Sequence, residues 1–191
     1  MSYNCIGISY MKLATKDKSY FENALEYHNK HKQIADIGGK FIAHINLGIV
    51  YSNLNESEKA AINFQMALRC AIQMSSKAGQ LLAIGNLGKV GYNNTVISDH
   101  EKLQMLIKRY IELSNYMRDD EGKSNAYLEL GKVMMQKKDW LSSARHLDEA
   151  RTMAKLTNNK EVLNDASVNY GIAQANMAWE DYSKKVMQSK N

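Results

Sequence analysis

His28 and His31, in the run HNKH, stand three residues apart. On a helix that is one turn, close enough for two imidazoles to share a metal ion. No third ligand is placed beside them, so the pair reads as solvated, on the outward side of its helix. His44, His100 and His146 stand alone. Cys5 and Cys70 can form neither a disulfide framework nor a metal knuckle and read as packing thiols of a reduced intracellular protein. There is no Gly-rich phosphate loop, no G-x-S-x-G and no HExxH, and KDKS and KK are solvated charges. This inventory supports no enzyme, no metal and no cofactor. What recurs instead is the primary amide: residues 45–53 read INLGIVYSN, 85–93 read GNLGKVGYN and 168–176 read VNYGIAQAN. An amide sets a carbonyl acceptor beside an NH2 donor, and so can bond the C=O and N–H of an extended peptide without reading its side chains.

The elements that carry these amides follow from composition and period. The chain has 191 residues and no proline, where the usual frequency of about 5% would give roughly nine or ten. Proline breaks helix interiors, so its absence predicts a mostly helical chain. A net charge of +5 tilts the surface basic, but the lysines are spread along the chain, whereas nucleic acid binding gathers them on one face. No apolar run approaches the roughly 20 residues that span a bilayer, and MSYNCIGISYMKL lacks the basic and apolar regions of a secretion signal. The expectation is a cytoplasmic chain with no nucleic acid partner and no membrane span.

The glycines of the amide words fall into a period. Gly7, Gly48, Gly88, Gly131 and Gly171 lie 41, 40, 43 and 40 residues apart. An apolar residue precedes each (Ile6, Leu47, Leu87, Leu130, Tyr170), and three positions later come Tyr10, Tyr51, Gly91, Met134 and Gln174. Downstream, amphipathic stretches begin near Ala24, Ala60, Leu103 and Ala144, with apolar residues at the i, i+3, i+4, i+7 spacing of a helix that buries one face. Polar segments such as SNLNESEK, NNTVISDH, QKKDW and the short DIGG separate them. The unit is helix, turn, helix, turn over about 40 residues, with glycine and alanine allowing close helix approach.

Positions −2, +1 and +5 from each glycine share a helix face. They are Cys5, Ile8 and Lys12; Asn46, Ile49 and Asn53; Asn86, Lys89 and Asn93; Glu129, Lys132 and Gln136; and Asn169, Ile172 and Asn176. Glycine and its predecessor face the core, so this stripe lies off the main packing face. It either binds a partner segment or orders the stack of helices. If it binds, Lys89 and Lys132 would favour an acidic partner.

The pattern resembles the tetratricopeptide repeat: Leu-Gly in a first helix, an aromatic three positions on, then Ala and Phe in the second. Leu47, Gly48, Tyr51, Ala60, Phe64 and Ala67 match best, and the long period is similar to that of LGN- and rapsyn-type scaffolds. The resemblance covers nearly the whole chain, with repeats at about 1–36, 37–76, 77–118, 119–157 and 158–191. It departs where proline would close a repeat, at Gly91, and in a first helix that looks clipped. It implies an all-α, right-handed α-solenoid whose first helices line a concave face, so the stripe would lie there. The family's carboxylate clamp needs a lysine three residues before the glycine, where this chain has Asn4, Ile45, Gly85, Leu128 and Val168, so chaperone-tail binding is not implied. The last helix, running on through NMAWEDYSKKVMQ, is expected to cap the array with a polar outer side, Trp179 and Tyr182 packing inward. The implied function is a non-catalytic protein-interaction scaffold. A structural subunit of a ciliary dynein-associated assembly and a peptide-sensing regulatory module are the alternatives.

Overall fold

The computed structural model describes residues 2–93 and 100–188, the side chains of 91–93 and 100 excepted. Among these residues the fold is all-α, without strands. The helices are α1 (Tyr3–Ala14), α2 (Tyr20–Ile34), α3 (Ile37–Asn53), α4 (Ser57–Gln73), α5 (Lys77–Asn93), α6 (His100–Met117), α7 (Asp120–Gln136), α8 (Trp140–Leu156) and α9 (Lys160–Gln188). Within α1–α5 and within α6–α9 each helix packs on its neighbour in sequence, the arrangement of an α-solenoid. By its contacts the chain divides into two units, Met1–Ser98 and Asp99–Asn191. In the first, α3 also touches α1 and α5; in the second, α7 also touches α9.

Five of the described turns share one construction. Asn55, Ser75, Arg118, Lys138 and Asn158 all take the left-handed backbone conformation, with φ between 54° and 60°. In each case the next N–H bonds the carbonyl five residues back: Glu56 to Tyr51, Ser76 to Ala71, Asp119 to Ser114, Asp139 to Met134 and Asn159 to Ala154. This closes the outgoing helix. The same residue then opens the next helix, because the side chains of Ser76, Asp119, Asp139 and Asn159 accept from the N–H three positions on. Glu56 makes no such side-chain bond. Asp36 caps α3 through the Gly39 N–H at 2.8 Å. Gly38 and Gly39 therefore lie in the first turn of α3, not in a DIGG turn.

Three of the periodic glycines, Gly7, Gly48 and Gly131, are seats for side chains of the following helix. A Cβ at Gly48 would lie 2.5 Å from Phe64 Cε1, and one at Gly131 would lie 2.5 Å from Leu147 Cγ. Both distances are inside van der Waals contact, so only glycine admits these residues. The close approach also exposes backbone: Ser143 Oγ on α8 donates to the Gly131 carbonyl at 2.9 Å, fully buried. At Gly7 the seat is filled by the His28 ring, 2.6 Å from where a Cβ would stand. His28 is 0% exposed, which corrects the outward placement of the HNKH pair. Gly48 and Phe64, like Gly131 and Leu147, are sixteen residues apart, but the longer α1–α2 connection stretches the interval to twenty-one and hides the equivalence.

The cores are alanine-rich on the second helices, as close packing requires. In the first unit Ala14, Phe21, Ala24 and Val50 cluster, with Met11 and Leu25 against them. In the second unit Leu147 sits among Leu128, Ala144, Ala150, Val162, Ala166 and Ala173.

Candidate interaction surface

In the first unit, α1, α3 and α5 place the stripe residues on adjoining helices. Asn46, half-buried, donates from Nδ2 to Asn4 Oδ1 on α1 at 3.0 Å. This amide joins two repeats. Asn53 and Asn86 behave differently: each donates from Nδ2 to the carbonyl four residues earlier on its own helix, Ile49 at 3.0 Å and Leu82 at 2.8 Å. That bond orients the side chain and leaves its carbonyl oxygen as the outward acceptor. Lys89 is exposed beside them and Ile49 is half-buried. The side chain of Asn93 lies outside the described residues, as do that of His100 and the NNTVISDH turn.

Asn46→Ala is therefore expected to cost about 1 kcal/mol, the usual worth of one such hydrogen bond, while Asn53→Ala and Asn86→Ala change stability by a few tenths. Urea denaturation followed by circular dichroism separates the two cases.

Two residues of this surface escape the amide pattern. Ile42 and Leu82 are exposed, each one turn before Asn46 and Asn86 on the same helix face. Their matched placement six residues ahead of Gly48 and Gly88 is visible in the sequence, but an aliphatic residue on a helix is ordinarily read as core. His44, also on α3, is turned to α4: its Nδ1 lies 3.0 Å from Asn63 Oδ1. Burial holds its pKa below the usual histidine value, partly offset by that bond.

In the second unit the stripe is knitted together. Lys132 Nζ lies 3.3 Å from Glu129 Oε1 on α7 and 3.3 Å from Asp165 Oδ2 on α9, with only 13% of its side chain exposed. Burial works against its charge, but the two carboxylates more than offset this and hold its pKa above the ordinary lysine value. Its charge is satisfied between α7 and α9, so Lys132 does not steer an acidic partner as the sequence led us to expect. Asn169 and Asn176 donate to the carbonyls of Asp165 and Ile172, both at 2.8 Å, and Gln136 is exposed.

The end of α9 also departs from expectation. Trp179 is 65% and Tyr182 60% exposed. The inner side of this helix is held by other contacts: Trp140 Nε1 donates to Glu180 Oε1 at 2.7 Å, and the Arg151 guanidinium lies 4.6 Å from the Tyr170 ring centre. With that side taken by α7 and α8, Trp179 and Tyr182 face solvent, and the outer side of α9 is not polar.

Among the described residues, no three His, Cys, Asp or Glu side chains converge to hold a metal ion, and no helix is long and apolar enough to cross a membrane. A cleft of about 330 Å³ opens between Met11, Ala14, Phe21 and Asn53.

No family model matches the sequence, and no curated protein matches it. Among solved structures, the crystal structure of BtubC (BKLC) from P. vanneervenii is similar, with a TM-score of 0.66 and 13% identity over 99% of this chain and 89% of that one. At that identity the likeness is one of fold.

Proposed function

We propose that the chain is a non-catalytic interaction module, of the tetratricopeptide kind its sequence resembles, that binds a protein segment on the α1, α3 and α5 face of its first unit. The observation that carries this reading is the pairing of exposed aliphatics with oriented amides on neighbouring helices. Ile42 stands with Asn53 on α3, and Leu82 with Asn86 on α5. The aliphatics offer area to an apolar side of a partner, and the amide oxygens accept from its N–H groups. Lys89 adds an exposed cation that favours an acidic segment, worth about 0–1 kcal/mol. The second unit, with Lys132 committed between α7 and α9, acts as a braced support. Both cysteines are free, which suits a reducing, cytoplasmic setting.

The test is a pull-down from cell extract with wild type and the variant Ile42→Ser/Asn53→Ala/Leu82→Ser/Asn86→Ala. Specific partners are expected to fall away by about tenfold or more, with helicity by circular dichroism unchanged. Partners retained by the folded variant would place the interaction on another face.

A further inference from the structure

The seat at Gly171 is empty, and the helix that carries it also carries a side chain able to fill it. Gly171 repeats Gly48 and Gly131, yet nothing lies within 4 Å of where its Cβ would stand. Around it α9 exposes Val168 (64%), Ile172, Ala175, Ala178, Trp179 and Tyr182. At 100° per residue these occupy about 120° of the helix circumference. That sector is opposite Val162, Ala166 and Ala173, which bury against α8. The result is a two-sided apolar helix at the surface of a soluble fold, which calls for a cover.

We propose that the cover is the same face of a second copy, with two α9 helices running antiparallel about a two-fold axis at Ala175. The register argues for this occupant. Four residues either side of Ala175 stand Gly171 and Trp179; seven either side stand Val168 and Tyr182; three either side stand Ile172 and Ala178. In an antiparallel pair, residues equally spaced from the axis meet at the same level. Each large side chain therefore faces a smaller one, and Trp179 of each copy meets the Gly171 of the other. An aromatic ring over a glycine is the contact this chain already makes at Gly48 and Phe64. Charge agrees at one level, since ten residues either side of the axis stand Lys185 and Asp165, whose carboxylate also reaches Lys132 but stays 60% exposed, with Glu161 one turn from Asp165. Antiparallel packing sets Asp165 level with Lys185, whereas parallel packing would set each of these charges level with its own copy. The axis places Ala175 against itself, where no side chain holds the backbones apart. An isologous contact of this kind closes on itself and gives a dimer, not a fibre.

The surface is separate from the α1, α3 and α5 face and does not depend on the function proposed for it. The test uses the full chain in sedimentation equilibrium over a concentration series. A dimer is expected, with Trp179→Ala raising its dissociation constant by about tenfold or more. Gly171→Leu should do the same by filling the seat, and it leaves the fold intact because nothing stands near that Cβ. With Cys5 and Cys70 replaced by serine, Ala175→Cys should cross-link to itself under mild oxidation, since its two copies fall within disulfide reach. Lys185→Cys should not, its copies being about 30 Å apart along the helix. A chain that stays monomeric, a dimer indifferent to Trp179→Ala and Gly171→Leu, or self-cross-linking at Lys185→Cys as readily as at Ala175→Cys would each overturn the proposal.

Discussion

Phe64→Ala will cost the first unit about 3–5 kcal/mol, the range for removing a fully buried phenylalanine. The ring is 1% exposed and rests directly on Gly48. Neither backbone can close the gap without breaking the contacts of Ala60, Ala67 and Ala71 along the same helix. The glycines then give a contrast that a general helix-propensity argument does not. Replacing an interior glycine by alanine ordinarily gains about 1 kcal/mol. At Gly48 and Gly131 the added methyl would overlap Phe64 or Leu147, and overpacking of about 1–3 kcal/mol opposes that gain. Gly48→Ala and Gly131→Ala are expected to be destabilising, and Gly171→Ala, at dilutions where the chain is a single copy, stabilising by about 1 kcal/mol, as nothing in the chain itself stands over it. A double-mutant cycle sharpens the point: in a Phe64→Ala background, Gly48→Ala should become neutral or favourable. Urea midpoints by circular dichroism decide it. Equal effects at Gly48 and Gly171 would show that the glycines are not seats.

The helical class and the position of the seats were legible because both leave a trace in residue identity. Proline is absent, apolar residues recur with a helical period, and only glycine fits beneath Phe64. Polar segments such as SNLNESEK and QKKDW marked turns, but the conformation inside the turns leaves no such trace. Their left-handed positions are filled by Asn55, Ser75, Arg118, Lys138 and Asn158, four different residue types, because the hydrogen bond from the next N–H fixes the conformation whichever side chain is present. Lys132 reads as a surface cation until α9 brings Asp165, thirty-three residues away, to 3.3 Å; no local pattern encodes that pairing. Trp179 and Tyr182 were expected inward because large aromatics usually bury, but the inner side of α9 is already occupied by Ala173, Met177 and Tyr170. His28 was hidden by register, and of these misread residues it has the largest consequence for stability.

His28 makes the first unit sensitive to acid. Its ring is wholly buried, with Nε2 3.2 Å from Met11 Sδ and Nδ1 without a hydrogen-bond partner. Burial first, and then the neighbouring His31, push its pKa from 6.5 down to about 4. The folded chain thus holds a neutral imidazole where the unfolded chain would accept a proton at pH 6. As pH falls below 6.5 the unfolded state takes up that proton and the folded state does not, so stability decreases. The slope reaches about 1.4 kcal/mol per pH unit and ends near pH 4, where the folded state protonates too, for a total of about 3 kcal/mol. Above pH 7 the contribution is flat. Burial also lowers His44 and His146, and these act with the same sign, so the effect must be read as a difference. His28→Phe places in the Gly7 seat the residue that fills it at Gly48. It removes an unsatisfied buried nitrogen and should stabilise the protein at pH 7.5 by about 1–3 kcal/mol. At pH 4.5 the advantage should widen by about 2 kcal/mol or more, because the variant has no proton to gain at this position. Urea denaturation of both proteins at the two pH values measures the widening directly. Parallel loss of stability in wild type and His28→Phe would mean that the acid sensitivity arises elsewhere and that the seat tolerates a charged ring.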